Sequence, residues 1–127
     1  MIAKVHFQNG IYNGEAVLVL QKGEINYYNR EGYGVMEYQG GMKYEGYWKN
    51  NERSGKGKVT YADGDVYIGT FYKNKKHGDG VLYRTNGDVY QMTFVLDRIV
   101  VREKIKSADK ADAKNTIAIK SLDDYER

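Results

Sequence analysis

From Tyr44 the chain alternates as YEGYW, crosses the polar run KNNERS, alternates again as GKGKVTY, and closes with ADGD. Alternation with a period of two marks strands with one covered face, and two such runs around a polar turn predict a β-hairpin. Asp63-Gly64 and Asn86-Gly87 are tight-turn signals, because these turns need a residue at positive φ. Alternation also assigns a front face. It carries Tyr44, Gly46 and Trp48, with Gly55, Gly57, Val59 and Tyr61 from the return strand. In the following stretch the same places hold Tyr67, Gly69, Phe71, Gly78, Gly80 and Leu82.

The pattern recurs with a period of 23 residues: 44–66 and 67–89 agree at eight of 23 positions, and 21–43 keeps the same glycine phase. A partial copy starts at Tyr90. The period predicts stacked hairpins, since a lone two-stranded hairpin is marginal in water. Each copy then adds two strands, about 9–10 Å of sheet. The fifth place of successive copies is Ile25, Trp48, Phe71 and Phe94, a column of large apolar groups. Front-face glycines leave recesses across which rings from a neighbouring hairpin can lie.

Composition sharpens this picture. The chain has 127 residues, one domain's worth, with 41% hydrophobic and 29% charged residues. Its 15 glycines, absence of proline, and 13 tyrosines against 3 phenylalanines suit turn-rich β-structure. No cysteine is present, which removes disulfides and thiolate chemistry and suits an intracellular, cytoplasmic setting. No stretch has the length of a signal peptide core or a membrane span. The net charge of +3, from 20 basic and 17 acidic groups, is too even to argue for nucleic acid.

The motif Tyr-x-Gly-x-Trp/Phe, then Gly-x-Gly, then Asp/Asn-Gly resembles the MORN repeat (membrane occupation and recognition nexus). The match is close over 44–89, fair over 21–43 and partial from Tyr90. Gln21, Met92 and Arg84 depart from it, mainly toward the ends, where capping is expected. The resemblance implies an all-β, elongated and twisted single-layer antiparallel sheet. It also implies a non-catalytic scaffold in a cytoskeletal, ciliary or membrane-associated assembly, sometimes accompanying an enzyme.

Outside the copies, residues 1–20 read as an N-terminal β cap over the sheet edge. Residues 96–127 read as a strand extension followed by a helix or tail. Within them 107–115 is helix-prone, with Ser107 as N-cap, and 116–127 is ambiguous. The second face of the sheet is polar at Glu45, Lys49, Lys56, Lys58 and Thr60. It also carries Tyr28, Tyr33, Val35, Tyr47, Ile68, Tyr72, Val81, Tyr83 and Val95. That much apolar surface calls for a cover, supplied by a partner or by the C-terminal segment.

Candidate chemistry is sparse. His77 sits by a hairpin turn without a serine or carboxylate partner in view, and GYG, GKG and GDG lack the helix that a phosphate loop opens. No catalytic, metal or cofactor site is expected. The expected partner contacts are Tyr44, Trp48, Tyr67, Phe71 and Tyr90 in the groove, with Tyr47, Tyr72 and Tyr83 behind. A second reading uses a basic turn edge of Lys49, Arg53, Lys56, Lys73, Lys75, Lys76 and His77 to hold an acidic partner or anionic phospholipid. Nucleic acid ranks third, because the rings are expected to cover glycine rather than stack bases. Self-association is a further outcome.

Overall fold

The computed structural model describes residues 1–107. Apart from Ser107, the helix expected over 107–115 and the stretch 116–127 lie outside the described residues. Among the described residues nine strands form one antiparallel sheet in sequence order: β1 (Ile2–Phe7), β2 (Gly10–Lys22), β3 (Ile25–Tyr38), β4 (Lys43–Lys49), β5 (Glu52–Thr60), β6 (Val66–Tyr72), β7 (Lys75–Tyr83), β8 (Val89–Val95) and β9 (Arg98–Lys106). Every strand pairs with its chain neighbours, as stacked hairpins require.

Two kinds of turn alternate along the sheet. The tight turns Asn50-Asn51, Lys73-Asn74 and Leu96-Asp97 have both residues at positive φ, between 46° and 72°. Such turns match the twist of the strands they join. The longer β5–β6 and β7–β8 turns are closed by side chains. The Asp65 amide donates to Asp63 Oδ1 at 3.0 Å, and the Asp88 amide to Asn86 Oδ1 at 2.9 Å. Gly64 and Gly87 supply the positive φ expected of them, near 100°. Arg84, which departs from the repeat pattern, places Nε 2.8 Å from Asp65 Oδ2.

The front face is the core. Tyr12, Met36, Tyr44, Trp48, Val59, Tyr67, Phe71, Met92 and Phe94 form one buried cluster on it. A Cβ built at Gly57 would overlap the Tyr44 ring, and one at Gly80 or Gly69 the Tyr67 ring. The rings therefore lie on bare backbone, but on the glycines of their own hairpin rather than the next. The fifth-place ring joins one hairpin to another. Trp48 meets Tyr12 edge-on at 5.6 Å, Phe71 meets Tyr44 at 5.2 Å, and Phe94 meets Tyr67 at 5.5 Å. With the Tyr44–Trp48 and Tyr67–Phe71 contacts, six rings make one continuous ladder. Each T-shaped pair is worth roughly 0.5–1.5 kcal/mol beyond its burial.

Three expectations change. Ile25 does not join the column of Trp48, Phe71 and Phe94 but is exposed beside a turn. Gly55 and Gly78 are not front-face recesses. Gly55 has φ +86°, lies where the β4–β5 register shifts, and has the Tyr47 Cβ as its near neighbour; Gly78 has φ +102°, lies where the β6–β7 register shifts, and has Thr70 as its near neighbour. A residue with a Cβ would be strained at either place, so these glycines serve bulges. Tyr28 packs against the front cluster rather than standing on the second face.

The N-terminal region also departs from the expected phase. The boundary placed at residue 20 falls inside β2, which pairs with β3 from Gly10↔Tyr38 to Lys22↔Ile25. Tyr12 lies over Gly34 as Tyr44 lies over Gly57, and its Oη donates to Glu15 O at 2.6 Å as Tyr44 Oη does to Tyr47 O at 2.8 Å. Tyr12-x-Gly14-x-Ala16 is thus the front strand of the first hairpin. Its turn is replaced by a long arm, residues 17–29, with Gly23 at the tip.

At the other end Met92 stands where Gly46 and Gly69 stand and fills the recess itself. The Tyr90 ring, deprived of that recess, stays half-buried under the Arg102 guanidinium, 4.7 Å from its centroid.

Candidate functional site

Alternation sorts the expected contact residues. Tyr44, Trp48, Tyr67 and Phe71 are buried in the ladder, with at most 5% of their surface open. Trp48 Nε1 also donates to Gly34 O of the preceding hairpin at 3.3 Å. These four side chains build the face rather than offer it. Burial pushes the Tyr12 hydroxyl up to about 12, against the pull of the Arg30 charge, and pushes Tyr44 up further against Arg53.

A cation completes each front strand pair. Arg30 lies between the Phe7 and Trp48 rings at 4.3 and 4.2 Å, and desolvation there lowers its pKa. Arg53 reaches Tyr44 and Phe71 at 5.9 Å, and Lys76 reaches Tyr61, Tyr67 and Phe94 at 5.6–5.7 Å. The expected basic edge is therefore divided. Arg53 and Lys76 turn to the aromatic core, whereas Lys49, Lys73 and Lys75 are exposed at the turns and Lys56 is half-buried.

The backbone at those cations is also where the tight turns lock. Arg30, Arg53 and Lys76 amides donate to Asn51 Oδ1, Asn74 Oδ1 and Asp97 Oδ1 at 3.1, 2.9 and 2.8 Å. In return the Asn51, Asn74 and Asp97 amides donate to the Arg30, Arg53 and Lys76 carbonyls at 3.0, 3.0 and 2.7 Å. Each turn is thus latched to the preceding hairpin, which holds the turns in a row along one long side of the sheet. The 23-residue spacing of Arg30, Arg53 and Lys76, and of Asn51, Asn74 and Asp97, is the sequence signal for this latch.

On the second face the same row is open. Tyr33 and Tyr47 pair edge-on at 5.6 Å and Tyr72 stands one hairpin along, the three being 38, 47 and 48% exposed. Between the turns lies an open depression of about 280 Å³ lined by Lys49, Asn50, Glu52, Ser54, Tyr72 and Lys73. Farther from the turns Val66, Ile68 and Val89 are buried and Tyr83 is half-buried, so the apolar surface expected at Ile68 is closed. His77 lies in β7 rather than at a turn tip. Its Nδ1 accepts from the Leu96 amide at 3.2 Å, and its ring stands 5.8 Å from Tyr72.

The recurrence of ring, recess, cation and latch has a counterpart among known families. The model of the MORN repeat matches residues 22–43, 44–66 and 67–89, more than half of the chain. The chain belongs to the MORN-repeat family. Compared with curated proteins, it has no significant match. MORN repeats are generally protein- or membrane-interaction modules, and the family is generally non-catalytic. The first MORN match starts at Lys22 in the arm, whereas the front strand that pairs with its return strand starts at Gly10.

Proposed function

We propose that this MORN-repeat chain is a non-catalytic scaffold whose second face, along the tight-turn side, binds a partner protein in a cytoskeletal, ciliary or membrane-associated assembly inside the cell. The observation that carries this reading is the open row Tyr33, Tyr47 and Tyr72 beside the depression flanked by Lys49 and Lys73. Exposed tyrosines offer rigid apolar area with a polar tip and are enriched among residues that dominate interface energy. The two lysines favour an acidic stretch on the partner. The buried groove residues Tyr44, Trp48, Tyr67 and Phe71 act through the fold. Tyr83 and Tyr90 are half-buried and sit at the margin.

The test is capture from native lysate with the full chain against Tyr47→Ala/Tyr72→Ala, both checked for an unchanged melting transition. The reading expects a defined co-purifying chain that the double variant loses; retention of that chain by the variant contradicts it. A second reading, supported by the exposed lysines at the turns, is attachment to anionic phospholipid. It expects flotation with anionic vesicles that falls with salt and is lost in Lys49→Ala/Lys73→Ala/Lys75→Ala. If the captured chain proves to be an enzyme subunit, the scaffold is an accessory subunit of that enzyme.

A further inference from the structure

The β2–β3 arm takes no part in the row described above. Beyond Ala16 and Arg30, among the described residues, its strands pair only with each other. β1 covers β2 from Gly10 to Glu15, and β4 covers β3 from Gly32 to Glu37. Alternation along β3 sets Asn29, Tyr27 and Ile25 on one side of the arm and Tyr28 and Asn26 on the other. The cross-strand partners of the first set are Val17, Leu20 and Lys22.

The register shift between Leu18 and Leu20 makes Val19 the extra residue of a bulge, and the bulge carries β2 from one face to the other. Without it, Val17 and Leu20 would face opposite ways. With it, Val17, Leu20, Ile25 and Tyr27 share one face, 45–58% exposed, and the extra residue Val19, next to Leu20 in the chain, is 53% exposed.

We infer that this face is a homodimer contact, in which the arms of two copies stack antiparallel about a twofold axis. The arm is about 20 Å long from Ala16 to Lys22, enough for a full overlap. Lys22 lies at the tip end of this face, with Glu24 in the turn beyond; at its base is the exposed Glu15, paired with Ile2 of β1 and accepting through Oε2 from the Tyr33 amide at 3.1 Å. Antiparallel stacking therefore brings the Lys22 of each copy toward the Glu15 of the other, and a single twofold axis satisfies both ends. Five half-exposed side chains give roughly 400 Å² per copy and about 800 Å² in all, below the roughly 1,000 Å² of a stable specific interface, so the dimer is a weak one that forms only as concentration rises. A bilayer is a poorer occupant. The tip that would enter first carries Gln21, Lys22, Glu24 and Asn26, which are costly to move into hydrocarbon.

Sedimentation velocity of the full chain over a concentration series tests this. A species of twice the 14.6 kDa chain mass should grow with concentration, vanish in Val19→Lys/Leu20→Lys, and persist in Leu18→Lys, which alters the opposite face. The cysteine-free chain permits a second readout that leaves the rest of the arm intact: oxidation should cross-link Val19→Cys and spare Ile99→Cys on β9. A chain that stays monomeric at the highest concentration overturns the proposal. So does a dimer that survives Val19→Lys/Leu20→Lys or cross-links only at Ile99→Cys. Binding of anionic vesicles by a monomer, lost in Val19→Lys/Leu20→Lys, overturns it in favour of a lipid surface.

Discussion

The hairpin β2–β3 and the hairpins β4–β5 and β6–β7 share a front strand, a ring over bare glycine and a cation beside it, yet only the first carries an arm. The later turns lock onto a strand already in place: Asn51 onto Arg30, Asn74 onto Arg53. The first hairpin has only β1 before it, and β1 covers β2 only as far as Glu15. No preceding return strand meets that turn, so a two-residue turn gains no latch there. The lesson is a division of labour. Ring-on-glycine contacts close each hairpin, whereas latches and fifth-place rings set its place beside the previous one. A hairpin without a predecessor keeps the first device and is released from the second.

The comparison breaks most sharply at the rings. Tyr44→Ala, in the body, should cost about 3–5 kcal/mol in chemical denaturation, because it empties a fully buried site. Tyr27→Ala, on the arm, should stay within about 0.5 kcal/mol. The rings that the two regions share also predict a common response to alkali. Tyr12 and Tyr44 are held protonated above the unfolded tyrosine value near 10, so folding retains protons that the unfolded chain releases. Their contribution is complete below pH 10 and is lost at higher pH, for Tyr12 as pH rises through about 12. Tyrosinate absorbance should therefore rise in step with loss of near-ultraviolet circular dichroism, and Tyr12→Phe should move the onset upward.

At the next level, Gly57→Ala should cost about 1–3 kcal/mol by forcing the Tyr44 ring off the backbone. Asn74→Gly keeps the turn conformation and removes only the acceptor for the Arg53 amide, so a loss of about 1 kcal/mol is expected. Asn74→Ala adds the strain of a left-handed residue and should lose more. A small effect is also expected from replacing residues 17–29 by Asn-Asn. Thermal unfolding should then shift by only a few degrees, since the arm's apolar face is exposed and Tyr28 is the arm side chain that packs against the front cluster.

Much of this was legible because the repeat writes the same physics at a fixed spacing. Hairpins, turn glycines and the front-face column from Trp48 to Phe94 follow from alternation and from Asp-Gly and Asn-Gly. The arm escaped because its insertion moves Tyr12-x-Gly14 to 32 residues before Tyr44, out of phase, and leaves Gly23 in the third place of a copy by its position alone. Gly55 was misplaced for a different reason: strict alternation assumes no bulge, and its positive φ is a backbone property that spacing does not reveal. The contact residues separated only in three dimensions. Tyr44 and Tyr47 read alike in sequence, yet the pleat buries one and opens the other.

The most direct measurement is a double-mutant cycle between Tyr44 and Gly57. If the ring lies on that glycine, Gly57→Ala is costly in the native background and nearly free once Tyr44→Ala has removed the ring. The coupling should be about 1 kcal/mol or more. Two costs that simply add would contradict the account.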